Sequence, residues 1–383
     1  MRVAYFTDTY APEINGVANT LKKLHGYLDE KEIEYIVFAP AYGSSTKDDK
    51  GVIYRFDGLK LAISPESCIA FPSTEEIFEK CDDFQPDLIH VTTELGIGYK
   101  GMKYAASRDL PLVKSYHTNF EQYLKYYKLD PARTVIQAYL KWFHRTSHLT
   151  LVPSRDTLER LRAQKYQNLD IWSRGIDTKK FNPLHRNQRT RDALGINERI
   201  AFLYVGRLAP EKGLNLLAEA IRNVNEQYKN KIVFIFTGDG PYSQVLKDES
   251  IDNVIFKGFK TGHELSEIYA SADCFVFPSG TETFGNSALE AIASGLPVVG
   301  KNSGGVTDFL IHGHNSLLSE LGDKRAYASN LIKLIENEQL RRNLSANAIS
   351  TAKSRTWEMI FDGLIEKYEI VIEKVNANRV SVR

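Results

Sequence analysis

At 383 residues the chain is longer than one hydrophobic core usually serves, so two domains are expected. Its 49 Lys and Arg against 48 Asp and Glu leave a formal net charge of +1, which gives no support to nucleic-acid binding. Three widely spaced cysteines, Cys68, Cys81 and Cys274, suggest neither a disulfide framework nor a zinc site.

Met1-Arg2 leads directly into strand-like Val3-Ala4-Tyr5-Phe6, so no secretion signal is read and a cytoplasmic location is expected. No apolar run reaches the length of a bilayer span. Residues 2–7 read as a strand, residues 8–16 as a loop, and residues 17–28 as a helix with Val17, Leu21, Leu24 and Leu28 on one face. Gly16 either closes a tight turn or lets the backbone approach a phosphate. There is no G-x-G-x-x-G, so the dinucleotide fingerprint is absent. Strand-like runs recur at 35–38, 87–91, 112–116 and 149–153, and their alternation with helical segments points to a doubly wound parallel sheet. His90 and His117 fall at strand ends, where a histidine is either a hydrogen-bonded structural residue or a ligand contact.

Residues 120–149 are rich in aromatics (Tyr123, Tyr126, Tyr127, Tyr139, Trp142, Phe143) and cations (Lys125, Lys128, Arg133, Lys141, Arg145). Helices that turn the aromatics inward account for this; the other reading is peripheral contact with an anionic membrane surface. His144 and His148 lack the glutamate of a zinc helix and are read as non-metal. Ser154 suits a helix N-cap. Residues 181–197 are polar and read as a linker.

A second sheet begins at residues 200–205 and runs into Gly206-Arg207 and Lys212. Two cations at a strand end suit a diphosphate, or Arg207 simply pairs with Glu211. Further strands at 233–236 and 254–256 lead to loops, the second at Gly258-Phe259. The strand at 274–278 is followed by a polar loop holding Glu282 and by a helix from about Asn286, stopped by Gly295 and Pro297. Glu290 is the one charge inside that helix; it either faces a cleft where hydroxyls donate to it or lies on a wet side. Glu282 has a simple alternative as a charge favoured by the helix dipole. The last helix, from Thr356, carries Trp357, Phe361, Leu364, Tyr368 and Val371 on one face.

Glu282-Thr283-Phe284-Gly285-Asn286-Ser287-Ala288-Leu289-Glu290 resembles the E-x7-E signature of the retaining, nucleotide-sugar-dependent glycosyltransferases of group 1, the family 4-like enzymes. Ala293-Ser294-Gly295-Leu296-Pro297-Val298-Val299 and Gly304-Gly305-Val306 extend the match, and residues 206–213, GRLAPEKG, resemble the diphosphate loop of that family. The resemblance implies the GT-B architecture: α/β, with two Rossmann-like doubly wound parallel-sheet domains facing a cleft. The N-terminal, acceptor-side domain would span residues 1–180, the linker 181–197 and the nucleotide-sugar domain 198–355, with a helix at about 356–375 returning to the first domain.

The same resemblance implies roles for individual residues. His117, Arg207, Lys212 and Glu282 would be catalytic, His117 at the transferred sugar, the two cations at the diphosphate and Glu282 at sugar hydroxyls. Gly16, Gly206, Gly258, Phe259, Phe284, Gly285, Asn286, Leu289 and Glu290 would bind the donor, partly through main-chain atoms, with Glu290 at the ribose. No Asp-x-Asp occurs, so no metal is expected, and no cofactor beyond the nucleotide sugar itself. The run FTDTYAPEINGV at residues 6–17 is similar to the mannosyl-lipid and glycosyl-diacylglycerol branch. It favours GDP-mannose over a UDP-hexose as donor, with a membrane lipid or lipid-linked glycan as acceptor, and an enzyme held at the cytoplasmic membrane face. A different class, a non-catalytic sugar-binding protein, also has two α/β domains; such proteins are exported, and the absent signal speaks against it.

Overall fold

The computed structural model describes residues 1–13, 15–42, 52–61, 64–117 and 133–382. The chain divides into two units, Met1–Ser173 with Ile360–Arg383, and Arg174–Met359.

In the first unit, β1 (Arg2–Phe6) is buried from Val3 onward, the continuous apolar run that a strand covered on both faces requires. β2 (Glu34–Pro40) and β3 (Ile53–Phe56) lie to one side of it. β4 (Gly58–Leu61) and β5 (Ser64–Ala70) form a separate antiparallel hairpin. β6 (Leu88–Val91), β7 (Leu112–Ser115), β8 (Leu149–Val152) and β9 (Leu169–Ile171) extend the sheet on the other side. The order is β3-β2-β1-β6-β7-β8-β9, with every pairing parallel. It reverses direction at β1, and sheets of this kind take ligands outside the strand C-termini at such a reversal.

The second unit repeats the plan with β10 (Ile200–Val205), β11 (Ile232–Thr237), β12 (Val254–Gly258), β13 (Cys274–Phe277), β14 (Val298–Lys301) and β15 (Ser316–Ser319). Its order is β12-β11-β10-β13-β14-β15, again parallel throughout, with the reversal between β10 and β13. Alternate residues of β10 enter different cores: Ala201 and Leu203 one, Phe202 and Tyr204 the other. Both sheet faces are therefore covered. The expected α/β class with two doubly wound parallel sheets is what the structure shows.

Local signals set the helix starts. Asn15 accepts hydrogen bonds from the Val17 and Ala18 N–H groups and caps the helix Gly16–Glu30. Ser154 caps Arg155–Ala163 through the Thr157 N–H. The segment 181–197, polar in sequence, carries a short helix, Gln188–Ala193, and is anchored on the second unit. Phe181, Leu194 and Ile196 enter its core, and Arg186 and Arg191 both pair with Asp273.

The last helix, Trp357–Val382, buries Phe361, Leu364, Tyr368, Val371 and Val375 in the spacing of a single face. The Tyr368 hydroxyl meets His90 Nδ1 at 2.5 Å and the Tyr5 hydroxyl at 3.3 Å, while His90 Nε2 lies 2.7 Å from Ser115 Oγ. His90 is therefore a wholly buried structural residue. Trp357, expected on the buried face, instead packs its backbone and ring against Gly175, because Thr356 bridges to Ile176 just before it.

Candidate active site

The two reversal-point strands of the second unit, β10 and β13, each end in a loop carrying charge. β10 runs into residues 206–212, which end in a single 3-10 turn, Pro210–Lys212. Gly213 follows with φ +72°, and a Cβ there would stand 2.5 Å from the Pro278 carbonyl at the end of β13. Only a glycine lets the two loops approach so closely. The consequence is a contact between residues seventy apart: the Lys212 ammonium donates to Glu282 Oε1.

The β10 loop is also tied to its other neighbours. Leu208 N–H donates to the Asp239 carbonyl (2.9 Å), Tyr242 N–H to the Leu208 carbonyl (2.9 Å), and Gly238 N–H to the Gly258 carbonyl (2.8 Å). The loops after β10, β11 and β12 thus form one continuous strand-end surface, on which Phe259 is 70% exposed. Beneath it the buried Tyr204 hydroxyl donates to the Arg207 carbonyl, and burial pushes its acidity well below that of an ordinary phenol.

After Glu282 the chain turns through Gly285, at φ +94°, into the helix Asn286–Ala293. A Cβ on Gly285 would lie 2.4 Å from Val306 Cγ1. The cap carries no side chain that accepts from the helix amides, so the positive end of the helix is left to a ligand or water. Gly305 N–H donates to the Glu282 carbonyl at 2.8 Å and holds the loop from behind. Glu290, half-buried in the helix, accepts from the Tyr269 hydroxyl at 2.9 Å.

The sequence matches the family described as Glycosyl transferases group 1 over residues 187–351, and that described as Glycosyltransferase Family 4 over residues 14–180. It is 30% identical to the sulfoquinovosyl transferase SQD2 of Arabidopsis thaliana, over 93% of this chain and 71% of that one. The chain belongs to the group 1 glycosyltransferases. Two other relatives are a GDP-mannose-dependent alpha-mannosyltransferase of Corynebacterium glutamicum (29% identity, 97% of this chain, 89% of that one) and an alpha-monoglucosyldiacylglycerol synthase of Acholeplasma laidlawii (26% identity, 98% of each). Among solved structures, a sucrose-phosphate synthase from Thermosynechococcus elongatus superposes with a TM-score of 0.75 at 18% identity, covering 97% of this chain and 99% of that one. That likeness shows the shared GT-B fold.

In this glycosyltransferase the residues expected at the donor fall into groups. Lys212 and Glu282 are in direct contact. Gly206 and Arg207 share the Lys212 loop, but the exposed Arg207 guanidinium is turned to Glu211, the ion pair that the sequence left open. Gly285, Asn286 and Glu290 belong to the strand–loop–helix unit that carries Glu282. The side chains of Phe284 and Leu289 are core residues, and Leu289 N–H is used by the Gly285 carbonyl, so Leu289 is not brought to the loop surface. Gly258 and Phe259 are exposed at the end of β12.

In the first unit, Gly16 opens its helix with no atom within 4 Å of a Cβ position, and the half-buried His117 ring lies 5.7 Å from that of Trp172. At the reversal between β1 and β6, Asp8 accepts from the Thr93 hydroxyl (2.7 Å) and from the Leu95 and Ile97 N–H groups. Asp8 therefore caps the helix Gly96–Ser107. Residues 118–132 of the aromatic, basic segment lie outside the described residues; the helix Arg133–Arg145 that follows buries Leu140, Phe143 and His144 and exposes Val135 and Trp142. Among the described residues no helix is long and apolar enough to cross a membrane. A cavity of about 410 Å³ lined by His148, Asp170, Lys367 and Val371 sits at the starts of β8 and β9, away from the strand C-termini of the first sheet.

Sequence reasoning missed Gly213 and Tyr269 as site-forming residues. A buried tyrosine needs a hydrogen-bond partner, and that was the available signal for Tyr269.

Proposed function

We propose that the enzyme transfers a hexose with retention of anomeric configuration from a nucleoside diphosphate sugar, GDP-mannose in the first instance, to a membrane lipid or lipid-linked glycan. The carrying observation is the contact of Lys212 with Glu282 at the strand reversal. A nucleotide sugar presents hydroxyls and a diphosphate joined through one oxygen, and it needs acceptor oxygens and a cation side by side. Glu282 supplies the first and Lys212 the second. As the glycosidic bond breaks, charge builds on the leaving diphosphate, and Lys212, Arg207 and the uncapped amides before Ser287 stabilise it. Arg207 must first leave Glu211, an exchange that costs little for an exposed guanidinium.

The GDP-mannose-dependent relatives, similar over nearly the whole chain, support the donor. The alpha-monoglucosyldiacylglycerol synthase relative supports a lipid acceptor, and a UDP-hexose donor is kept as the second reading. Exposed Val135 and Trp142 beside the exposed cations Lys141 and Arg145 support a peripheral membrane contact. Lys212 and a released Arg207 supply the positive charge for the diphosphate, so no metal or added cofactor is required. Release of nucleoside diphosphate from GDP-mannose and UDP-glucose, with and without diacylglycerol vesicles, tests this reading. Faster release from GDP-mannose, undiminished by EDTA, is expected. Turnover abolished by EDTA and restored by Mg²⁺, or use of UDP-glucose alone, would overturn the corresponding part.

A further inference from the structure

Three residues past the end of β6, at the reversal point of the first sheet, Glu94 carries a carboxylate that is only 7% exposed. Such a group is costly to bury without strong partners. Its Oε1 lies 3.4 Å from His144 Nε2, well beyond the roughly 2.8 Å of a charge-assisted hydrogen bond. Its Oε2 has no hydrogen-bond partner among the described residues. Lys114 is a countercharge and not a partner. Burial pushes the pKa of Lys114 down to about 7 against the pull of Glu94, and its ammonium donates to the Phe143 carbonyl and the Thr146 hydroxyl. One carboxylate oxygen is therefore left over at the sheet edge where folds of this kind take ligands.

The loop that carries Glu94 is ringed by exposed apolar side chains. Leu95 follows it directly, and Phe71 lies against Gly96, the first residue of the helix Gly96–Ser107. A Cβ on Gly96 would come within 3.0 Å of the Phe71 ring and 2.2 Å of the Ala70 carbonyl, so only glycine admits this approach. The Tyr139 hydroxyl donates to the Glu94 carbonyl. The Tyr139 ring lies 5.8 Å from that of exposed Trp142, which Tyr99 flanks at 6.4 Å. Phe71, Leu95 and Trp142 thus gather about one loop, all within the first unit.

We infer that Glu94 is an acceptor-binding residue: its carboxylate receives a hydroxyl of the lipid acceptor, whose apolar part lies on Phe71, Leu95 and Trp142. The inference rests on the reading of the acceptor as a lipid. An apolar rim about a lone hydrogen-bond acceptor matches an amphiphile with an uncharged, hydroxylated head, such as a diacylglycerol or a glycosyl glycerolipid. A phosphate head is disfavoured at this point, because its negative charge meets a carboxylate of the same sign.

Equilibrium titration of the intact enzyme with 1-decanoylglycerol, methyl decanoate and decyl phosphate tests this, with GDP as a control for the donor end. Wild-type protein is expected to bind the glycerol ester roughly tenfold more tightly than the methyl ester, the effect of one hydrogen bond to a charged group. It should bind decyl phosphate most weakly. Glu94→Leu is expected to lose the preference for the glycerol ester, and Glu94→Gln to lose the discrimination against decyl phosphate. Phe71→Ser should weaken the two esters alike, and GDP affinity should stay constant throughout. Should Glu94→Leu fail to fold, the decyl phosphate arm of Glu94→Gln decides. Wild-type selectivity kept by the Glu94 variants overturns the inference. So does a joint loss of GDP and all three amphiphiles, which marks a structural role. If wild-type protein binds the two esters alike, or decyl phosphate most tightly, the inference alone falls. Binding of none of the three amphiphiles sinks the lipid-acceptor reading and the inference with it.

Discussion

Two side chains with unremarkable surroundings, Lys212 and Glu282, acquire a role only through each other. Both are partly exposed, so the pair contributes at most about 1 kcal/mol to folding. Lys212→Ala and Glu282→Ala should therefore lower kcat by about a hundredfold or more, the scale of losing one electrostatic stabiliser, while shifting the melting temperature little. Steady-state turnover beside thermal unfolding separates the two effects. Gly213→Ala is expected to behave differently. Its Cβ meets the Pro278 carbonyl at 2.5 Å in a left-handed conformation, so the loop must move and the backbone is strained by about 1–3 kcal/mol. Both activity and melting temperature should fall, and calorimetry with turnover on one preparation checks it.

At the scale of elements, the last helix and the first sheet meet through histidine chemistry. His90 and His25 are wholly buried, and burial holds both near a pKa of about 3, against an ordinary value of 6.5. Folded protein therefore keeps them neutral, whereas the unfolded chain takes up protons below pH 6.5. Stability from this source is complete above pH 6.5 and falls as pH drops toward 3, by about 1.4 kcal/mol per pH unit for each histidine. The unfolding free energy at pH 5 should be lower than at pH 7, and His25→Phe should flatten that slope in denaturant titrations. A slope unchanged by the substitution would refute the assignment.

At the scale of the whole molecule, the first unit is closed by residues from the far end of the sequence. Phe361, Leu364, Tyr368, Val371 and Val375 belong to its core, and side chains of this size contribute about 1.5–3 kcal/mol each when buried. Their sum is comparable to the stability of a domain. A chain ending at Met359 should keep a folded second unit and lose cooperative unfolding of the first, read by hydrogen exchange peptide by peptide.

Much of this was legible beforehand. Apolar runs such as those of β10 and β13 are the mark of strands buried on both faces, and glycine and proline punctuation located the loops and the helix at Asn286. The motif residues were legible because short-range spacing carries the strand–loop–helix unit. His90 was not, since its partners Tyr368 and Ser115 lie on other elements, and nothing local tells a buried histidine from a working one. Leu289 was placed with the donor residues by its position in the motif, while its side chain was decided by the packing of the core.

By itself the sequence determined two doubly wound α/β sheets and the loops that carry charge, because hydrophobic period and turn chemistry are properties of neighbouring residues. Only the tertiary structure decided that Lys212 meets Glu282, that Arg207 rests on Glu211 and that Tyr269 holds Glu290. Those pairings follow from β10 lying beside β13 and from one helix packing on another, and strand order is a long-range outcome that no local pattern encodes.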